Sequence, residues 1–252
     1  MDPLISRVIE GEGTPARDWV AWSGLEAMPV LEPATLVPEG RRAVIVAPHP
    51  DDEVLGTGGL MVRLGRLGRE VRLIAVTDGT GSHPGSTEWP VERLAAARPE
   101  ETREALRRLG LPLEVERLDI PDGAIGAHES RLVDLLGEQL RPDDVVFATW
   151  RLDGHPDHEA VGRAAARASA ALQARLVEVP IWTWHWARPG DARVPWSRAR
   201  RILLDAPTLA LKRQATAAYV SQLHTDPTTG RAPILPSHVL ERLLRSFEVV
   251  LT

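Results

Sequence analysis

A short apolar run and the polar residues that follow it decide the fold of this chain: AVIVAPHPDDE, at positions 43–53. The first four residues are typical of a strand buried inside a parallel sheet, because such strands carry continuous apolar runs. His49, Asp51 and Asp52 follow just after that strand. Ligands of open α/β sheets bind beyond the carboxyl ends of the strands. These three residues are therefore the first candidates for a functional site.

Segments that favour strands alternate along the chain with segments that favour helices. Further strands are predicted at residues 71–77, 145–149 and 176–182, and helices at residues 58–67, 99–109 and 159–172. Such alternation is typical of βαβ units. We therefore predict an α/β fold with a largely parallel sheet flanked by helices. Residues 247–251 are expected to form a final edge strand.

The beginning of the chain differs in composition from the rest. Residues 1–40 are rich in proline, glycine and acidic side chains, and we interpret them as an N-terminal extension with one short helix near residues 18–25. No linker-like stretch follows. The 252 residues are enough to bury a sizeable core, so we predict that residues 41–252 form a single domain.

Composition excludes several classes of protein. The formal net charge is −5, which argues against nucleic acid as a partner. There is no cysteine, which excludes disulfides, thiolate metal sites and a cysteine nucleophile. No stretch approaches the roughly 18 apolar residues of a membrane span, and the first residues do not resemble a secretory signal. We predict a cytoplasmic protein, in which any metal is held by nitrogen and oxygen.

A second polar segment, DGHPDHE at positions 153–159, follows the strand predicted at residues 145–149. The spacing of His49 and Asp52 allows both side chains to face one point, and His158 can supply a third ligand. Two imidazoles and a carboxylate leave a position for water, as in catalytic zinc sites. Zn²⁺ is our first choice, with Fe²⁺, Co²⁺ and Mn²⁺ as alternatives. His-Pro and Pro-Asp also form ordinary turns, but two such segments at strand ends favour the metal site.

The two segments resemble a known pair of motifs. PHPDDE at positions 48–53 and GHPDH at positions 154–158 are similar to the signatures of the PIG-L (LmbE-like) N-acetylglucosaminyl deacetylases. The resemblance extends over residues 42–251. It implies a Rossmann-like α/β fold and zinc-dependent removal of acetyl groups from N-acetylated sugars. Pro48 departs from the alanine of many members, at a position outside the chemistry.

The resemblance also implies roles for individual residues. It makes His49, Asp52 and His158 the metal ligands and Asp51 the general base. It makes His155 the group that stabilises the oxyanion, which a protonated imidazole would do by donating a hydrogen bond.

Four further residues are candidates for substrate binding. The resemblance implies that Arg98 faces the substrate and that Asp122 bonds sugar hydroxyls. His83 belongs to a glycine-rich loop, residues 78–89, that either lines the pocket or lies in solvent. Trp184 belongs to the segment WTWHW, residues 182–186, whose indoles either stack on the substrate or pack in the core. We expect that segment to be extended, with its three tryptophans on one face.

The leading hypothesis is a zinc-dependent hydrolase that removes an N-acetyl group from an N-acetylglucosamine-type sugar or glycoconjugate. Its expected partner is therefore a small N-acetylated molecule. Zinc lowers the pKa of bound water to about 7, and Asp51 is free to accept the proton. The alternatives are an amidase acting on another N-acylated sugar conjugate, a non-haem iron oxygenase with the same ligand types, and an inactive metal- or carbohydrate-binding protein. The sequence leaves the oligomeric state open.

Overall fold

The computed structural model describes residues 7–252, and the first six residues of the predicted extension lie outside it. Seven strands form one sheet in this part of the chain. Their bounds are β1 Ala43–Ala47, β2 Val71–Ala75, β3 Val115–Arg117, β4 Val145–Thr149, β5 Arg175–Val179, β6 Ala199–Leu203 and β7 Phe247–Leu251.

The sheet is parallel through its first five strands. The strand order is β3-β2-β1-β4-β5-β7-β6, and β1 pairs in parallel with both β2 and β4. This arrangement confirms the predicted α/β fold. One prediction about the sheet is wrong, because β7 is not an edge strand. It pairs antiparallel with β6 from Phe247 to Leu251 and also contacts β5, so β6 forms the edge.

Helices cover both faces of the sheet. Their bounds are α1 Ala16–Val20, α2 Ser23–Ala27, α3 Pro33–Leu36, α4 Asp52–Arg66, α5 Val91–Arg108, α6 Glu129–Gln139, α7 Pro156–Leu172, α8 Thr183–Trp186, α9 Ala206–Thr216, α10 Val220–Leu223 and α11 Ser237–Leu243, with 3₁₀ turns at Ile125–His128 and Trp196–Arg198. Among residues 7–252, no helix has both the length and the apolar character needed to cross a membrane.

Helix α5 begins eight residues before the predicted start at residue 99. It runs through Pro99, because Leu94 and the three alanines that follow it are strong helix formers. This matters for the site, since it places Arg98 in the middle of the helix.

Alternate residues of β1 point to opposite faces of the sheet, as the pleat requires. Ile45 belongs to one apolar core and Val44 and Val46 belong to the other. Both cores therefore pack against the strand that leads to His49.

The N-terminal segment packs on the later part of the chain. The helix predicted at residues 18–25 is two helices, α1 and α2. Trp19 is fully buried, lies 4.9 Å from the ring of Trp184, and donates from Nε1 to Trp184 O at 3.0 Å. Val30 also forms a β-bridge with Arg201. The domain boundary at residue 40 stays a prediction.

Candidate metal and active site

The two polar segments meet because their strands are neighbours. Strands β1 and β4 are parallel and adjacent, so their carboxyl ends lie at the same edge of the sheet. The strand order runs outward in opposite directions from this pair. Such a switch point opens a crevice at which α/β proteins bind ligands. Helix α4 begins at Asp52 and helix α7 at Pro156, which turns the polar side chains into that crevice.

His49, Asp52 and His158 converge on one point. Oδ2 of Asp52 lies 3.2 Å from Nδ1 of His49 and 3.1 Å from Nε2 of His158. Two donors bound to one tetrahedral ion at about 2.1 Å are about 3.4 Å apart. These two separations are compatible with a shared ion, and the structure brings together the three residues that the sequence singled out.

The charges of this cluster favour a cation. Burial lowers the pKa of His158, but Asp52 and Asp153 outweigh it and raise the pKa to about 9. Burial alone would raise the pKa of Asp52, yet His158 and His49 hold it well below its usual range. Nε2 of His158 is buried and lies 3.1 Å from Oδ2 of Asp52, but among residues 7–252 it makes no contact with hydrogen-bond geometry. The nitrogen and oxygen atoms that meet here fit a divalent metal such as Zn²⁺.

His155 lies against the same cluster. Ring nitrogens of His49, His155 and His158 all lie within 4.8 Å of one another. Burial lowers the pKa of His155 to about 3, and His158 and His49 add to the effect, which favours the neutral ring. Its Nδ1 accepts a hydrogen bond from the Asp157 amide at 3.2 Å, which leaves the proton on Nε2.

A carboxylate that the sequence reasoning missed orients His158. Asp153 is fully buried and accepts from Nδ1 of His158 at 2.9 Å. It also accepts from the amides of residues 181–183 and from the hydroxyl of Thr183. A carboxylate on the second ring nitrogen is the usual partner of a metal-bound histidine. The available signal was the position of Asp153, four residues after the strand predicted at 145–149 and five residues before the histidine.

His49 has equivalent partners on its other ring nitrogen. Its Nε2 lies 3.1 Å from Oδ1 of Asp122 and 3.3 Å from Oδ2 of Asp157. Asp157 is itself fixed by the amides of Gly123 and Ile125. The Nδ1 atom of His49 is thereby directed towards Asp52.

Asp51 lies beside the ligands in an unusual backbone conformation. Its φ is +122°, a region that costs a non-glycine residue about 1–3 kcal/mol. Its amide donates to Oε2 of Glu53 at 3.0 Å, and Oε1 of Glu53 accepts from the Tyr219 hydroxyl at 2.5 Å. Both Glu53 and Tyr219 are buried. Sequence reasoning did not reveal this support, because Glu53 and Tyr219 are 166 residues apart.

Burial raises the pKa of Asp51 to about 8, although the charge of Arg98 opposes the shift. Arg98 donates to Oδ2 of Asp51 at 2.9 Å, to the Gly79 carbonyl at 2.8 Å and to the Pro50 carbonyl. The side chain predicted to face the substrate therefore borders the cavity mainly as a support for Asp51.

Two other residues predicted to bind substrate, Asp122 and His83, differ in whether they border the cavity. Asp122 borders the cavity and bonds His49, while its other oxygen accepts from the Gly81 amide at 2.7 Å. His83 lies one residue beyond Ser82, which borders the cavity, and contacts the Ser82 hydroxyl at 2.9 Å.

Trp184 borders the cavity but is only 2% exposed. Its segment is not extended as expected, because Thr183–Trp186 forms the short helix α8. The amide and hydroxyl bonds of Thr183 to Asp153 begin this turn. Its tryptophans therefore point in different directions rather than to one face.

The cluster opens into a cavity of about 300 Å³. His49, Asp51, Asp52, His155 and His158 all line it. A cation held by His49, Asp52 and His158 would polarise a carbonyl group. The Asp51 carboxylate and the His155 imidazole border the same space, so the site can promote attack of water on that group.

Comparison with known proteins assigns the class. The family model described as PIG-L, GlcNAc-PI de-N-acetylase, matches residues 44–169, which is half of the chain. The chain therefore belongs to this family of deacetylases, which are hydrolases.

Several relatives carry more specific names. The chain is 25% identical to a 1D-myo-inositol 2-acetamido-2-deoxy-alpha-D-glucopyranoside deacetylase of Corynebacterium diphtheriae, over 73% of this chain and 77% of that protein. It is 28% identical to a protein of the same name from Streptomyces griseus, over 75% of this chain and 65% of that one. It is 31% identical to a diacetylchitobiose deacetylase of Thermococcus kodakarensis, over 48% and 46%.

Solved structures share the fold. The conserved protein TT1542 of Thermus thermophilus is 27% identical with a TM-score of 0.54, over 73% of this chain and 81% of that one. The N,N'-diacetylchitobiose deacetylase of Pyrococcus horikoshii is 22% identical with a TM-score of 0.55, over 73% and 71%.

Proposed function

We propose that this protein is a metal-dependent hydrolase that removes the N-acetyl group from an N-acetylglucosamine-type sugar or glycoconjugate. One observation carries the proposal. Asp51, a buried aspartate that is not one of the proposed metal ligands, lies next to the side chains of His49, Asp52 and His158 in a single cavity. Family membership favours hydrolysis over the oxygenase alternative.

His49, Asp52 and His158 would hold the metal, with Zn²⁺ as the first choice because two imidazoles and a carboxylate suit it. When bound, such an ion supplies a water of lowered pKa and polarises the carbonyl oxygen of an amide. Asp153 holds the ring of His158, and Asp122 and Asp157 hold the ring of His49.

Asp51 would take the proton of the attacking water and return it to the departing amine. A base that performs both transfers works best when its pKa is near the working pH, and burial moves Asp51 in that direction. Arg98 keeps the carboxylate in place during both transfers.

His155 would donate from Nε2 to the oxygen of the tetrahedral intermediate. The neutral tautomer is sufficient, because Nδ1 is already occupied as an acceptor. Donors of this kind are worth about 3 kcal/mol in the transition state. Arg98, Asp122, His83 and Trp184 remain candidate substrate contacts. The assignment of the protein to the cytoplasm remains a prediction.

Metal removal tests this function directly. Purified protein should contain about one divalent ion per chain and release acetate from N-acetylglucosamine or N,N'-diacetylchitobiose. Dialysis against a chelator should abolish release, and Zn²⁺ should restore it, because the water is activated at the metal. Full activity in protein shown to be metal-free would contradict the proposal, and oxygen uptake with a 2-oxoacid would support the oxygenase instead.

Asp153→Asn should weaken metal binding about 10- to 100-fold, the usual effect of losing a carboxylate behind a histidine ligand. The amide is similar in size, but it no longer offers a negative charge to Nδ1 of His158. Competition with a chromogenic chelator measures the affinity. Asp134→Asn, at an exposed position of α6, is the control. Equal affinities of the two variants would remove Asp153 from the site.

A further inference from the structure

The cavity has an apolar part that the hydrolytic chemistry does not use. Its lining there comes from Ile181, Trp182, Ile234, Leu235, Val239 and Leu243. All six follow residue 169, where the match to the family ends. Sugar hydroxyls placed against these side chains would lose water without gaining hydrogen-bond partners, which is unfavourable.

The charged and polar side chains in this part of the lining are already bonded to the protein. Arg242 donates to the carbonyls of Glu12 and Thr14 and to Nδ1 of His185. Nε2 of His185 lies 3.1 Å from the carbonyl of Glu10. Neither side chain is therefore available to neutralise a charged ligand.

Gln222 is different, because one polar atom of its side chain has no partner among residues 7–252. It is fully buried and lines the cavity. The Ser221 hydroxyl donates its only proton to Glu101 at 2.7 Å, so it must accept from Nε2 of Gln222, also at 2.7 Å. This chain of bonds fixes the orientation of the amide. Its Oε1 is buried and has no hydrogen-bond partner among residues 7–252.

A buried carbonyl without a partner is uncommon in native proteins and calls for a ligand or a water. Ligand pockets typically combine an apolar lining with a few fixed polar groups that orient the bound molecule. Gln222 and the apolar side chains around it meet that description, and they share one cavity with the metal cluster.

We propose that this part of the cavity is a subsite for an apolar substituent of the substrate, and that Oε1 of Gln222 accepts a hydrogen bond from an N–H or O–H group next to that substituent. The substituent is either an N-acyl chain longer than acetyl or an apolar aglycone. The subsite rests on the proposed function, because the substrate amide must reach the metal cluster while the substituent occupies the subsite.

A substrate series tests the subsite and separates the two sources. The series consists of N-acetylglucosamine, N-hexanoylglucosamine and hexyl N-acetylglucosaminide. We expect one of the two longer compounds to be hydrolysed with a kcat/KM about tenfold above that of N-acetylglucosamine, since a few methylene groups in an apolar pocket have effects of this size. If N-hexanoylglucosamine is the preferred compound, the subsite takes the acyl chain. If hexyl N-acetylglucosaminide is the preferred compound, the subsite takes the aglycone. Equal kcat/KM values for all three would overturn the subsite but leave the proposed function intact.

Binding without hydrolysis gives an independent measurement. Calorimetry should show hexyl glucoside, which has no amide, binding at least about tenfold more tightly than glucose. This comparison remains valid even if no amide is hydrolysed, an outcome that would refute the proposed function alone. Equal affinities would refute the subsite.

Two matched substitutions connect the effect to these residues. Val239→Thr adds a hydroxyl to the lining at constant shape and should reduce the preference for the hexyl compound about fivefold or more. Val220→Thr is the control, because Val220 is exposed and lies outside the cavity lining. The same loss of preference in both variants would contradict the assignment.

Gln222→Leu removes the acceptor and should raise KM about tenfold with little change in kcat. Gln222→Glu, as the neutral acid that burial beside Glu101 favours, can still donate to Ser221 and keeps a carbonyl acceptor, so it should recover most of the loss. A purely structural role predicts instead that both variants lose thermal stability and bound metal while KM is unchanged, and that result would overturn the role of Gln222.

Discussion

Asp51→Asn should lower kcat about 10²- to 10⁴-fold, the usual contribution of a general acid–base group, while the metal stays bound. The substitution removes the ability to take a proton, but Oδ1 of asparagine can still accept from Arg98. The ligands His49, Asp52 and His158 are unchanged. Asparagine tolerates a positive φ nearly as well as aspartate, so the fold should be retained. The measurements are kcat at saturating substrate and metal content per chain.

Asp119→Asn is a matched control for this variant. Asp119 also has a positive φ, of 49°, but it is exposed and does not line the cavity. Its replacement should leave kcat within about twofold, as expected for an exposed position away from the site. A rate for Asp51→Asn as high as that of the control would remove Asp51 from the mechanism.

Lys212→Met should lower the free energy of unfolding by about 3–5 kcal/mol, the cost of leaving one member of a buried ion pair alone. Lys212 and Glu248 are both buried and lie 2.7 Å apart. Lys212 also donates to the Leu55 carbonyl at 2.8 Å, and Glu248 accepts from the amides of Gly59 and Leu60. The pair thus inserts into helix α4, between a carbonyl and the amide four residues later.

Urea unfolding followed by circular dichroism measures the effect. Arg213→Met, at the next and exposed position of α9, should change the stability by less than about 0.5 kcal/mol. Because the partners share one network, Lys212→Met combined with Glu248→Leu should cost less than the sum of the single variants. Additive losses, or a loss below about 1 kcal/mol for Lys212→Met, would show that the pair is not the stabilising unit.

The meeting of His49, Asp52 and His158 was predictable from the sequence, for a physical reason. Each polar segment follows a buried strand, and carboxyl ends of neighbouring parallel strands lie at one edge of a sheet. That rule is enough to bring His49 and Asp52 near His158, as observed. The pattern of apolar segments along the chain also predicted the alternation of strands with helices.

The features that sequence reasoning missed depend on contacts between distant segments. The buried hydrogen bond from Tyr219 to Glu53 and the ion pair of Lys212 with Glu248 require knowledge of how α9 and α10 pack. The position of β7 inside the sheet depends on its pairing with β6. No local pattern identifies these partners, because each residue type is compatible with many others until the chain is folded.

The division of the cavity between two parts of the chain has an evolutionary consequence. The five residues proposed for metal binding and catalysis lie within residues 44–169, whereas most of the apolar lining comes from residues 181–243. Substitutions in the later part can alter which molecules enter without moving the reactive groups. A lineage with this architecture could thus diverge towards new substrates through intermediates that all remain competent hydrolases.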